Sequence, residues 1–215
     1  MIVGVCGRVK ARAGGIAPPA YVFAPIAAAG ACLARCAKGG VNGCDEKREG
    51  KARMIHIVGA GSGAADLITL RGARLLRAAD VVVWAGSLVN PELLAECKES
   101  CVVYDSAHMT LEEVLDVMCA ADARGEEVVR LHTGDPCLYG AIQEQMDALD
   151  ARGVDYEVVP GVSSFCGAAA ALRQEYTLPG ISQSVVITRL SGRTPVPAGE
   201  ACAPWRKAAR LWSSS

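Results

Sequence analysis

The sequence lacks an excess of charge of either sign. It contains 22 Lys and Arg against 23 Asp and Glu, so its formal net charge at pH 7 is −1. Such a chain has no bulk attraction to nucleic acid or to an anionic membrane surface. We therefore expect neither as a partner. A composition of 51% hydrophobic and 21% charged residues is typical of a soluble globular protein.

The ten cysteines lack the spacing of a zinc ribbon or a thioredoxin-like site, because no Cys-x-x-Cys pair occurs. Two groupings stay open as minor metal-binding alternatives. One is Cys32 with Cys36 and Cys44, and the other is Cys97 with Cys101, which one helical turn would bring together. We predict no metal site and interpret the cysteines as reduced thiols of a cytoplasmic protein.

An uninterrupted apolar run of membrane-spanning length is also missing. Residues 16–34 are apolar and follow three basic side chains, which is the composition of a secretory signal. Pro18, Pro19 and Pro25 would interrupt a helix there. We therefore predict no transmembrane segment and keep export as the minor alternative.

From Met54 onward, short apolar runs alternate with helical patterns. The predicted strands span residues 55–58, 81–84, 101–104, 128–131, 156–159 and 184–190, and the predicted helices span 66–76, 91–97, 110–123, 138–149 and 163–172. Thr110 and Glu113 form a capping box at the start of one helix. This alternation predicts an α/β fold, a parallel sheet flanked by helices, with ligands at the carboxyl ends of its strands.

Turns rich in glycine, proline and serine follow the predicted strands, so we expect them to share one edge of the sheet. In Thr133-Gly134-Asp135-Pro136, the glycine can adopt positive φ and the proline fixes φ, which makes a stiff loop with exposed backbone. In Pro160-Gly161-Val162-Ser163-Ser164, a turn leads into a serine-capped helix whose first amides can hold a carboxylate. Together these loops predict a site for a nucleoside-like cofactor.

A dinucleotide fingerprint is the alternative interpretation of the turn after the first strand. Gly59-Ala60-Gly61-Ser62-Gly63 stands where an NAD-dependent oxidoreductase would have that motif. Ala64 replaces the third glycine, and no acidic residue closes the second strand. Asp80 precedes that strand, so it should lie at the opposite edge of the sheet.

Nucleophilic catalysis has little support. No Gly-x-Ser-x-Gly elbow occurs, and only three histidines are available. His56 lies within a strand and is interpreted as structural. His108 and His132 stand at strand ends, where ligand contact and ordinary polar packing are equally expected.

Several of these segments, in their order along the chain, carry a family resemblance. They are Ile57-Val58-Gly59-Ala60-Gly61 with Asp66-Leu67-Ile68-Thr69, Ala85-Gly86-Ser87-Leu88-Val89, Asp105-Ser106-Ala107, Arg130-Leu131-His132-Thr133-Gly134-Asp135-Pro136, Glu144-Gln145-Met146, Pro160-Gly161-Val162-Ser163-Ser164, Glu175-Tyr176-Thr177-Leu178-Pro179, and Thr188-Arg189 with Gly192-Arg193-Thr194-Pro195. Over about 145 residues the chain resembles the tetrapyrrole (corrin and porphyrin) methylases.

The resemblance implies an S-adenosylmethionine-dependent C-methyltransferase with a small tetrapyrrole substrate. The segments 85–89 and 175–179 resemble the members that methylate carbon 11 of precorrin-4 or cobalt-precorrin-4 in cobalamin biosynthesis. Methylation of uroporphyrinogen or of another precorrin is the alternative, and a non-catalytic remnant is a second one. The family has two α/β domains with the active site in the trough between them, and it also implies a homodimer.

The resemblance and the loops together assign roles to particular residues. Gly134, Asp135 and Pro136 are predicted to bind the cofactor with Ser163 and Ser164. The predicted substrate-binding residues are Gly59, Gly61, Gly63, His132, Arg189 and Arg193, the arginines because guanidinium groups hold carboxylates well. Asp105 is the candidate catalytic residue, as a group that orients the substrate or moves a proton.

The resemblance also divides the chain. We expect residues 1–53 to be an extra leader, poorly ordered or misassigned, and residues 54–180 to be the family's first α/β domain. Residues 181–200 would begin a truncated second domain, and residues 201–215 would be an aberrant tail produced by a frameshift or a misassembled gene. We therefore expect weak or no activity from the chain as written.

Overall fold

The fold is a strand-and-helix series in a computed structural model that describes residues 2–7, 54–180 and 182–188. The strands β1 to β7 span Ile2–Gly7, Ile55–Gly59, Val81–Trp84, Val102–Asp105, Val128–His132, Tyr156–Val159 and Ser182–Thr188. The helices α1 to α4 span Leu70–Ala78, Leu111–Ala123, Gln143–Arg152 and Ser164–Leu172. Short 3-10 helices occupy Ala65–Leu67, Pro91–Glu96 and Ser106–His108.

Strands β2 to β6 form one parallel sheet in the order β4-β3-β5-β2-β6. Val128 of β5 lies opposite Ile55 of β2 on one side and Val81 of β3 on the other. Because all five strands run in the same direction, their carboxyl ends meet at one edge. The predicted parallel α/β sheet is confirmed.

Apolar side chains cover both faces of this sheet. On one face, β-strand residues such as Val58 and Leu131 pack with Leu76 of α1. On the other face, residues such as Ile55 and Val128 pack with Met118 of α2 and with α3. Since side chains alternate along a strand, Arg130 and His132 share the face of Val128.

Two predicted helices differ from the observed ones. The helix predicted from residue 138 begins only at Gln143, because Tyr139 and Ala141 have φ of 60° and 51°, which no α-helix accommodates. The helix predicted over 66–76 divides into a 3-10 turn and α1, where the Thr69 hydroxyl accepts the amide of Gly72 at 3.1 Å. The capping box of Thr110 and Glu113 at α2 is confirmed.

A second, two-stranded sheet joins β1 to β7. The strands are antiparallel, with Val3 opposite Ile187. The strand predicted at 184–190 is present at residues 182–188. No element was predicted at residues 2–7, where β1 lies. Across the ranges that the structure describes, no helix is both long and apolar enough to cross a bilayer.

Candidate functional site

Three glycines pack backbone against backbone where β2, β5 and β6 end. A Cβ atom built on Gly161 would lie 2.1 Å from the carbonyl oxygen of Gly134, and one built on Gly59 would lie 2.6 Å from the same oxygen. Contacts this short exclude any side chain at Gly59 and Gly161. The loops that follow these three strands, predicted to share one edge, do meet there.

Hydrogen bonds tie the loop after β2 to the loop after β5. Gly134 donates its amide to the carbonyl of Gly61 at 2.8 Å, and the Gly61 amide returns a bond of 3.3 Å to the Gly134 carbonyl. Gly61 and Gly63 have φ of 84° and 128°. No α-helix begins at this turn, since α1 starts at Leu70, whereas a dinucleotide fingerprint opens directly into a helix. This geometry disfavours the NAD-binding alternative.

The carboxylate of Asp135 joins the loop after β5 to the loop after β6. Its Oδ1 accepts the amide of Cys137 at 2.8 Å, and its Oδ2 accepts the amide of Gly161 at 3.1 Å. Pro136 is buried next to it. Asp135, one of the five residues predicted to bind the cofactor, therefore shapes the loop through hydrogen bonds within the chain.

Helix α4 begins beside Gly134. The nearest atoms to a Cβ built on Gly134 are the Cα of Ser163 at 3.7 Å and the amide nitrogen of Ser164 at 3.8 Å, so the space in front of Gly134 admits an additional atom. Ser163 is buried and occupies the predicted N-cap position, but its side chain makes no capping hydrogen bond. The positive end of the helix dipole lies at these residues, so this end suits an anionic group.

His132 ends β5 directly before this loop. It is only 5% exposed, and its Nε2 has no hydrogen-bond partner among the residues that the structure describes. Burial, together with the nearby charge of Arg130, lowers the pKa of His132 to about 3. The imidazole is therefore neutral at physiological pH, and its Nε2 is a buried polar atom whose hydrogen-bonding capacity is unused among the described residues.

Asp105 belongs to a neighbouring pair of loops. Its Oδ1 accepts the amides of Ala107 at 2.9 Å and Gly86 at 3.0 Å. These two backbone bonds lower the pKa of the exposed Asp105 carboxyl, which disfavours a role as a general acid. β4 lies two positions from β5 in the sheet, so Asp105 is about 10 Å from the Gly134 loop along the edge.

Other predicted residues divide into those that the structure describes and those that it does not. Arg189, Arg193 and the group of Cys32, Cys36 and Cys44 lie outside the described residues. Burial and the neighbouring Cys101 thiol raise the pKa of Cys97 to about 11. Both of these cysteines pack against the apolar core. Within the described ranges, no three side chains are grouped as a metal site would require.

The sequence analysis gave no role to two buried polar residues, Arg130 and Gln145, although both stand in segments that carry the family resemblance. Arg130, on β5, donates to the side chain of Gln145, which in turn donates to the carbonyl of Ala141. The signal that could have found them is Arg130 itself, because a charged residue inside an apolar strand is rarely buried without a specific partner.

The comparisons with known proteins agree with this geometry. The family model described as Tetrapyrrole (Corrin/Porphyrin) Methylases matches residues 54–210. The chain belongs to the tetrapyrrole methylase family. The matched range therefore covers the parallel sheet and all of its flanking helices.

The relatives of this tetrapyrrole methylase are mostly named for one reaction. The cobalt-precorrin-4 C(11)-methyltransferase of Methanocaldococcus jannaschii is 53% identical over 148 residues, which cover 69% of this chain and 57% of that protein. The precorrin-4 C(11)-methyltransferase of Rhodococcus erythropolis is 50% identical over 147 residues, which cover 68% and 59%. The chain thus spans less than two thirds of the length of these relatives.

A solved structure shows the same fold. The X-ray structure of a cobalamin biosynthetic enzyme, a cobalt precorrin-4 methyltransferase, superposes with a TM-score of 0.69 at 48% sequence identity. The superposition covers 72% of this chain and 65% of that one. The parallel sheet and its flanking helices are those of a tetrapyrrole methylase.

Proposed function

We propose that this chain binds S-adenosylmethionine at the carboxyl edge of its parallel sheet, in an enzyme that methylates carbon 11 of precorrin-4 or cobalt-precorrin-4. The observation that carries the proposal is the meeting of three tightly packed glycine loops at this edge, where Gly134 lies beside the start of α4. Relatives about 50% identical in sequence are named for this methyl transfer. For the whole protein, we propose the same methyl transfer, a cytoplasmic location and the homodimer that the family resemblance implies.

The residues present fit such a ligand. Gly134 presents only backbone beside the start of α4, and the positive end of that helix can hold the carboxylate of the methionine part. The neutral imidazole of His132 adds a buried ring nitrogen at the same strand end. These groups bind and orient, and none of them needs to form a covalent bond.

When bound, S-adenosylmethionine supplies an electrophilic methyl group on a sulfonium. The chain's part is alignment of that group with the attacking carbon, for which intramolecular reactions suggest a gain of about 7–11 kcal/mol. The fixed loops of Gly61, Gly134 and Asp135 serve this purpose, because their backbone bonds hold the pocket wall before the ligand arrives.

Asp105 and the arginines would act on the substrate side. The exposed Asp105 carboxylate can orient the macrocycle or accept a proton from it, and the backbone bonds that lower its pKa favour the orienting role, since they make it a weaker base. Arg189 and Arg193 are proposed to hold substrate carboxylates, as guanidinium groups commonly do.

Calorimetric titration of the full chain with S-adenosylhomocysteine tests the proposal. We expect saturable binding and no heat with NAD; NAD binding without S-adenosylhomocysteine binding would replace the proposal with the oxidoreductase alternative. Turnover with cobalt-precorrin-4 or with uroporphyrinogen then separates the two methylation substrates. Failure to bind either nucleotide would favour a non-catalytic remnant.

A substitution at Gly134 locates the site. Gly134→Leu should weaken S-adenosylhomocysteine binding beyond detection, because its side chain would project between Gly134 and the start of α4, while the positive φ of 62° costs the fold about 1–3 kcal/mol. Gly153→Leu is the matched control, since Gly153 has a φ of 67°, has nothing within 4 Å of a built Cβ and ends α3 away from the loops. Equal affinity in the two variants would reject the role of Gly134.

A further inference from the structure

Arg130 is a buried cation with an unusual set of partners. It is 7% exposed, its Nε donates to Oε1 of Gln145 at 3.2 Å, and its Nη1 donates to the carbonyl of Val83 at 3.1 Å. Within the described residues, no carboxylate forms an ion pair with it. Burial lowers the pKa of Arg130 to about 10, so it remains charged at neutral pH. A buried charge held by neutral acceptors alone is unfavourable for stability and calls for another role.

The side chain of Gln145 connects Arg130 to the loop before α3 through hydrogen bonds. Because its Oε1 accepts from the guanidinium, its Nε2 points the other way and donates to the carbonyl of Ala141 at 3.2 Å. A reversed amide would place NH2 against the guanidinium donors. Arg130 therefore dictates which amide atom faces Ala141, and the three residues form one hydrogen-bonded relay.

The end of the relay is a strained backbone. Ala141 and Tyr139 have φ of 51° and 60°, in the left-handed region that non-glycine residues rarely adopt. A Cβ built on Gly140 between them would lie 2.2 Å from the carbonyl oxygen of Pro136, so the segment folds back on itself. Such conformations persist only where the surroundings enforce them. Gln145 supplies that enforcement at Ala141.

We propose that Arg130 and Gln145 are positioning residues, which hold the loop of residues 136–142 in its strained form as a preorganised wall of the cofactor pocket. This inference rests on the proposed function for the identity of the ligand. The loop follows Gly134 and Asp135 directly in the chain. Disorder in residues 136–142 would therefore also loosen these two residues. A wall that is ordered in advance lowers the conformational entropy lost on binding.

The test replaces Gln145 by Met, which has a similar length and neither hydrogen bond. In the ligand-free full chain, we expect amide hydrogen exchange at residues 137–142 to accelerate about tenfold or more, while the amides of β2 and β3 keep their rates. The dissociation constant of S-adenosylhomocysteine should rise about tenfold. Gln143→Met is the matched control: Gln143 is exposed on the same helix and donates to Asp147, so its removal should change neither quantity.

A second substitution distinguishes positioning from general support of the fold. Ala141→Gly relieves the strain at positive φ, so in the Gln145→Met background it should recover a several-fold part of the lost affinity. Gln145→Glu keeps an acceptor for Arg130 but has no donor for Ala141, so it should resemble Gln145→Met at the loop.

The outcomes separate the two proposals. Wild-type exchange rates at residues 137–142 in Gln145→Met, or equal acceleration throughout the sheet, would overturn the relay. A loosened loop with unchanged affinity would overturn its role as a preorganised wall. A wild-type chain that does not bind S-adenosylhomocysteine contradicts the proposed function and with it the ligand role of the wall, and the exchange experiment then still decides whether the relay holds the loop.

Discussion

The two edges of the parallel sheet use opposite chemistry. At the amino edge, polar side chains are matched to one another: His56 Nδ1 lies 2.8 Å from Glu157 Oε1, His56 Nε2 lies 3.3 Å from Glu127 Oε2, and Asp80 accepts both Lys98 Nζ and the Glu127 amide. At the carboxyl edge, glycine backbones meet without side chains between them.

We interpret the amino edge as the one that stabilises the fold and the carboxyl edge as the one proposed to bind a ligand. The polar side chains at the amino edge hydrogen-bond to one another, so few polar groups there remain for a ligand to contact. At the carboxyl edge, the buried Nε2 of His132 has no hydrogen-bond partner among the described residues. The difference is consistent with the proposed cofactor site at the carboxyl edge, because a buried polar atom there has no hydrogen-bond partner in the part of the chain that the structure describes.

The largest effect is expected from Gly161→Ala. The added Cβ would lie 2.1 Å from the Gly134 carbonyl oxygen and 2.8 Å from the Gly59 Cα, both of them backbone atoms that cannot rotate away. We expect a loss of about 3 kcal/mol in the free energy of unfolding, measured by urea denaturation.

The comparison variant is Gly134→Ala, whose Cβ has no neighbour closer than 3.7 Å. It should lose only about 1 kcal/mol, the penalty for alanine at positive φ. Equal losses in the two variants would show that close packing of the loops does not define the carboxyl edge.

The sequence predicted this edge well because its signals are local. An apolar strand followed by Gly, Pro or Ser fixes both the strand and the place of the turn, so Gly59, Gly134 and Gly161 could be assigned to one edge in advance. Parallel strands then force the loops together. The turn at Asp135 was likewise visible as Gly-Asp-Pro.

The parts that the sequence did not predict depend on contacts between distant residues. Leu138 and Ile142 have helical spacing with Met146, and only the packing of Gly140 against Pro136 shows that α3 begins later. The bonds from Asp135 to Gly161 and from Arg130 to Gln145 join residues 26 and 15 positions apart. No periodic pattern encodes such pairs.

A smaller effect is expected at the amino edge from His56→Leu. The substitution removes hydrogen bonds to both Glu127 and Glu157, which are partly buried, so the free energy of unfolding should fall by about 1–2 kcal/mol. S-adenosylhomocysteine affinity should stay at the wild-type value in calorimetry, because the change lies at the opposite edge.

Arg77→Ala is the control for His56→Leu. Arg77 pairs with Glu96 on the surface, where an ion pair contributes little, and its loss should change stability by less than about 0.5 kcal/mol. If fully folded His56→Leu protein bound S-adenosylhomocysteine more weakly than the wild type, the idea that the amino edge contributes to stability and not to binding would be contradicted.

The smallest effect is a pH dependence that comes from His132. Its pKa of about 3 in the folded state lies below the ordinary value of 6.5, so the unfolded chain binds the proton more readily. Stability from this group is complete above about pH 6.5 and declines as the pH falls toward 3. Between pH 7.5 and 5.5 we expect a loss of about 1 kcal/mol that His132→Asn does not show, measured by urea denaturation at each pH. A parallel decline in both proteins would mean that His132 is not held neutral, and the carboxyl edge would then lack the unused nitrogen that distinguishes it from the amino edge.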